Sequence, residues 1–137
     1  MRRTSSADWL GQALVEFAAL ASVLFMLLFG ILEFGRAAYY YSAVVNGAQE
    51  GARYGIVTGV NTAAKRAAIV SKVISSTVAV DVDPSLVTIS CPGNACGSTG
   101  AGNLFTVTVN YTFTAVTPLV PSFMLSGHSM MMIDHSP

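Results

Sequence analysis

Residues 13–32 read ALVEFAALASVLFMLLFGIL, a run of twenty in which Glu16 is the single charged position. The last sixteen, residues 17–32, carry no charge at all. Twenty helical residues at about 1.5 Å each cover roughly 30 Å, the thickness of a bilayer's hydrocarbon core. The alternative is a core helix of a soluble protein, which must be enclosed on every side. A chain of 137 residues lacks the mass to enclose one this long. The stretch is therefore expected to span a membrane once, over about residues 13–32.

The flanks suggest an orientation. Arg2 and Arg3 precede the span and Tyr39, Tyr40 and Tyr41 follow it. Arginine favours the cytoplasmic side and tyrosine a membrane interface. Asp8 before the span and Arg36 after it keep the bias modest. The reading is N-terminus inside and the remainder outside. A secretory signal peptide fits the same charges but requires cleavage after the apolar run. Ala37, Ala38 and Ala43 offer only weak sites for that, and the helical pattern runs through them.

Composition agrees with partial withdrawal from water. Hydrophobic residues make up 53% of the chain and charged ones 10%, against about 25% charged in ordinary domains. Seven basic residues balance seven acidic ones. A nucleic-acid binder normally shows a basic excess, so no nucleic-acid partner is expected. High apolar content with no net charge argues against a disordered chain.

Three regions follow. Residues 1–11 form a short polar leader. Residues 12–57 carry a proline-free helical pattern, apolar in its first half and rich in alanine, glycine and tyrosine in its second. Residues 58–137 form a small α+β domain. Along the second half of the helix, Glu33 and Arg36 stand three apart, as do Glu50 and Arg53, a spacing that lets each pair meet on a helix surface. Gly47, Gly51 and Gly55 fall on one helical face. Each costs about 1 kcal/mol relative to alanine in a helix, so another backbone is expected to approach there. It belongs either to a second copy's helix or to the chain's own C-terminal domain.

After a break at residues 58–61, Asn61 or Thr62 is placed to cap a second helix ending near Ser76. Ile69, Val70, Val73 and Ile74 make its apolar face. Lys65 and Lys72 share the opposite face, and Arg66 must snorkel over the apolar side. These cations either line a solvated face or meet lipid headgroups or an acidic partner. Strands are expected at residues 78–82, 86–90, 104–114 and 128–134. The third is the strongest, with Phe105, Val107, Val109, Tyr111 and Phe113 alternating with polar positions, as in an antiparallel sheet packed on a helix. The fold class is α+β: a long helix projecting into a short second helix and a small antiparallel sheet.

Cys91 and Cys96 are the only cysteines, in CPGNAC. Their spacing allows a loop-closing disulfide, which would staple a small exported domain. Free thiols and a metal site are the alternatives, the latter needing more ligands than His128 and His135 readily supply. The glycine-rich loop over residues 91–103 lacks the lysine of a phosphate-binding loop. The sequon Asn110-Tyr111-Thr112 matters only in a glycosylating host. No nucleophile motif is present, so neither catalysis nor a cofactor or metal is expected.

Glu16 is the charged residue with information. An ionisable group inside a span costs up to a few kcal/mol unless paired, and such groups are usually functional. Gly11, four residues, then Glu16 and Phe17 opening an apolar helix resembles a type IV prepilin processing site. The likeness extends from GQALVEF (11–17) through LLFGILEFGRA (27–37) to NGAQEGARY (46–54). Together these resemble the N-terminal segment of TadE-like proteins, pseudopilins of the bacterial tight-adherence (Flp) pilus apparatus. Members often carry proline where this chain has Ser22, so a proline kink is not implied.

The resemblance implies a pilin-like fold and a non-enzymatic role as a minor pseudopilin. It implies cleavage by a prepilin peptidase between Gly11 and Gln12, with Glu16 and Phe17 serving recognition and assembly. Glu16 would become the fifth residue of the mature chain and pair with a neighbouring subunit's N-terminal ammonium, two opposite charges in low dielectric. The implied partners are the peptidase, other pilins or pseudopilins, and the inner-membrane assembly platform. The implied location is the bacterial inner membrane, with the C-terminal domain outside the cytoplasm and eventual transfer to the pilus. The alternatives are a major filament subunit and a single-pass membrane protein with a binding ectodomain.

Overall fold

A computed structural model describes residues 6–78, 80–92, 104–117 and 120–133. Cys96, the rest of the glycine-rich loop to residue 103, Pro118, Asp134 and His135 lie outside the described residues, as do Arg2 and Arg3. The chain divides into two compact units, Met1–Arg36 and Ala37–Pro137.

The architecture is α+β: a long N-terminal helix, a short second helix and a three-stranded antiparallel sheet. Helix α1 runs over Ser6–Thr58. It begins earlier than the sequence pattern suggests, and Gly11 lies inside it. The stretch SADWL contains no proline, and one glycine raises a helix's energy by about 1 kcal/mol without stopping it. Its end is better defined. Gly59 adopts φ 76°, and its N–H donates to the Gly55 carbonyl at 2.8 Å. That left-handed residue satisfies an orphan carbonyl and turns the chain.

Helix α2 spans Ala63–Ser76. The Thr62 hydroxyl caps it, accepting from the Lys65 N–H at 3.2 Å. At the far end the Thr77 N–H donates to the carbonyls of Val73 and Ile74, at 3.0 and 3.2 Å. The buried Thr77 hydroxyl donates to the same two groups, so neither carbonyl is left dry.

No strand occupies residues 78 and 80–82. The Val80 N–H donates to the Thr77 carbonyl at 2.9 Å, closing a turn. Val80 and Val82 are nevertheless buried. The apolar alternation there records burial of an irregular segment rather than sheet pairing. Asp83 then caps a 3-10 turn at Pro84–Leu86, which moves the start of the next strand.

Strands β1 (Val87–Ser90), β2 (Leu104–Phe113) and β3 (Phe123–Met132) lie in that order. Val87 opposes Val109, Leu104 opposes Met132 and Phe113 opposes Phe123. The third strand starts five residues before the expected 128. The stretch FMLSG has no alternation to announce it; antiparallel pairing along the whole of β2 specifies it instead.

The core of the second unit combines three layers. Val44, Ala48 and Ala52 come from α1, Ile69 and Val73 from α2, and Phe105, Val107 and Val109 from β2. Burying each large apolar side chain is worth about 1.5–3 kcal/mol. At one end the Tyr40 ring meets Tyr111 and Phe113 edge-on, both at 5.8 Å between centroids.

Candidate functional site

The first group of residues that the sequence singles out lies along the N-terminal part of α1. Gly11, Gln12, Glu16 and Phe17 are all exposed there. Gln12 and Glu16 are one turn apart and share a face. Among the described residues Glu16 has no ion-pair partner. The helix around it is apolar all round: Leu14, Val15, Phe17, Leu20, Val23, Leu24 and Phe25 are each more than half exposed. None of the most apolar window is buried. A surface of this kind is stable against lipid and not against water. By length and composition this helix is a candidate membrane span.

Backbone polarity within α1 is satisfied internally, as a membrane requires. The Ser22 hydroxyl donates to the Ala18 carbonyl at 2.8 Å, which hides a polar group without a partner from elsewhere. Farther along, Arg36 donates to the buried Glu33 carboxylate at 3.0 Å. The Glu50–Arg53 pair is looser, 3.7 Å, and more exposed.

The glycine row faces this chain's own domain. A Cβ at Gly47 would collide with Thr77, and one at Gly51 with Val73. A Cβ at Gly55 would sit 2.7 Å from the Phe105 ring. The close approach is therefore to α2 and β2. Gly127 was not singled out by its sequence context. A Cβ there would lie 2.9 Å from the Val45 backbone nitrogen, so β3 rests directly on the α1 backbone. A glycine inside a strand marks such an approach in general, but one glycine does not say what approaches.

The remaining candidates are scattered. Cys91 is disulfide-bonded. The half-buried Arg66 donates through its guanidinium to the Val60 carbonyl at 3.0 Å, so its charge caps a loop. Lys72 is exposed and Lys65 half-buried. His128 is exposed on β3. Among the described residues no three His, Cys, Asp or Glu side chains converge. Asp83 holds its carboxyl below the ordinary 3.8 because the Ser85 side chain and backbone both donate to it. That bond shapes a turn.

The residues thus form a candidate membrane span on one stretch of α1 and a packing seam on the next. The family model described as TadE-like protein matches residues 11–53, a range that contains both Gly11 and the first two glycines of the seam. No curated protein and no solved structure matches the chain. Over this N-terminal segment the chain is similar to the TadE-like family, a likeness that suggests a Tad pilus-associated protein.

Proposed function

We propose that the chain is a minor pseudopilin, a structural subunit used in assembling a tight-adherence pilus. It is inserted in the bacterial inner membrane with its N-terminus in the cytoplasm and its C-terminal domain outside. A prepilin peptidase removes residues 1–11, and the chain itself performs no catalysis. The observation that carries this reading is the family match over residues 11–53 on a helix whose most apolar stretch has no buried residue.

The physics of Glu16 supports the assembly role. A carboxylate among lipid chains is costly when alone. Cleavage after Gly11 creates an ammonium at Gln12, one helical turn away. The two groups of one chain lie along the same helix face, so head-to-tail exchange between neighbours pairs every charge. Shape supports it too: Ala13, Ala18, Ala19 and Ala21 let a second helix approach closely.

Glu16→Ala is expected to leave insertion and folding intact and to lower pilus assembly by at least tenfold, scored by sheared-filament yield from cells producing the variant. Normal filament yield would contradict the assigned role. The same preparations give the subunit ratio. A minor subunit is far below the main filament protein in amount, whereas near-equal abundance would favour the major-subunit reading.

A further inference from the structure

The outward face of the sheet carries an unusual stripe. Solvent-facing strand positions usually hold charged or hydroxyl side chains. On β1 and β2 they are polar except for Leu104: Thr88 and Ser90, then Thr106, Thr108, Asn110 and Thr112. On β3 the positions alternating with buried Gly127 on the outward face are Met124, Ser126, His128, Met130 and Met132, all exposed. Met130 and Met132 are 59% and 56% exposed. Four of the chain's six methionines fall in this one strand, yet only Met131 packs against the core.

We propose that this stripe binds a soft monovalent metal ion, Cu(I) in kind, between the His128 imidazole and the Met130 thioether. Residues two apart on a strand point to the same side, about 6.8 Å apart at their Cα atoms. Both side chains are long enough to converge on one ion between them. Met132, the next outward position, supplies an alternative thioether. Its cross-strand neighbour is Leu104, which gives that end of the site an apolar border.

The donor set selects the ion. Imidazole nitrogen and thioether sulfur are neutral, and sulfur of this kind favours Cu(I) over hard cations. Calcium and magnesium need oxygen ligands, and no acidic residue lies on the outward face of the three strands. Structural zinc takes four ligands, chiefly thiolate and imidazole. Cys91 is committed to a disulfide and offers no thiolate. This inference stands independently of the pilus role.

Ag(I), a soft and redox-inert probe, tests it directly. Full-length protein in detergent micelles would carry carbon-13 methyl groups on its methionines, and each methyl resonance would be followed as Ag(I) is added. The expected result is a saturable shift of the Met130 methyl at one equivalent, with a smaller shift at Met132. The methyls of Met26, Met124 and Met131 should stay in place. His128→Ala and Met130→Leu should each weaken binding at least tenfold, with the other methyl positions unchanged as evidence of folding. Equal shifts at every exposed methionine, no saturation, or full binding by His128→Ala would overturn the proposal. Those results would leave the stripe as a protein-docking patch, the other common use of clustered methionine.

Discussion

Gly127 and Gly55 show how much depends on a missing methyl group. At Gly127 an added Cβ meets backbone atoms of Val44 and Val45 at 2.9–3.0 Å, which cannot rotate away. At Gly55 it meets the edge of a phenylalanine ring at 2.7 Å, itself clamped in the core. Gly127→Ala is expected to cost about 3 kcal/mol and Gly55→Ala about 1–2, the latter partly offset by better helix propensity. Gly30→Ala is the control, because nothing lies within 4 Å of that position. It should be neutral or slightly stabilising. Denaturant unfolding followed by circular dichroism separates the three. The row at residues 47, 51 and 55 was legible because its period matches a helix. Gly127 was not, since a lone strand glycine carries no period and its partner lies some eighty residues away in sequence. Asp83 makes a second prediction at this scale. Its folded carboxyl is depressed below 3.8 by Ser85, so its contribution is present above the ordinary carboxyl range. It is lost as pH falls through the lowered value. Carbon NMR of the carboxyl should show a midpoint below 3.8, and Ser85→Ala should move it upward.

Among the elements, α1 and β2 were readable and β3 and residues 78–82 were less so. In α1 a continuous apolar run answers to length alone. In β2 the alternation from Phe105 to Phe113 maps onto burial, with Phe105, Val107, Val109 and Phe113 inside. Val107→Lys is therefore expected to unfold the C-terminal unit, because it places an unpaired charge in the core at a cost of several kcal/mol. Thr108→Lys, one residue on and facing outward, should change stability by about 0.5 kcal/mol or less. A similar effect for both in urea unfolding would contradict the register. The strand expected at residues 78–82 failed for a definable reason. Val80 and Val82 are buried, but the Thr77–Val80 hydrogen bond spends the backbone on a turn. Burial and pairing are separate events, and the apolar pattern reports only the first. In β3 the reverse holds: pairing with β2 extends a strand through residues that do not alternate.

At the scale of the whole molecule, two surfaces with opposite solvent needs share one chain. The Met1–Arg36 unit exposes leucine, valine and phenylalanine on every side of its helix. The Ala37–Pro137 unit builds a core of its own. The family match covers most of the first and the beginning of the second, so the candidate membrane span and the first two glycines of the packing seam are both inside it. The candidate site was legible in that shared segment because its demands are local: a glycine, a glutamate at a set distance, and an apolar helix. The central claim is that this segment is processed as a prepilin. The most direct measurement is the mature N-terminus, by mass spectrometry of protein from native membranes with and without the prepilin peptidase. A chain beginning at Gln12 only when the peptidase is present is the predicted result. A chain that keeps residues before Gln12 in cells with an active peptidase would contradict it.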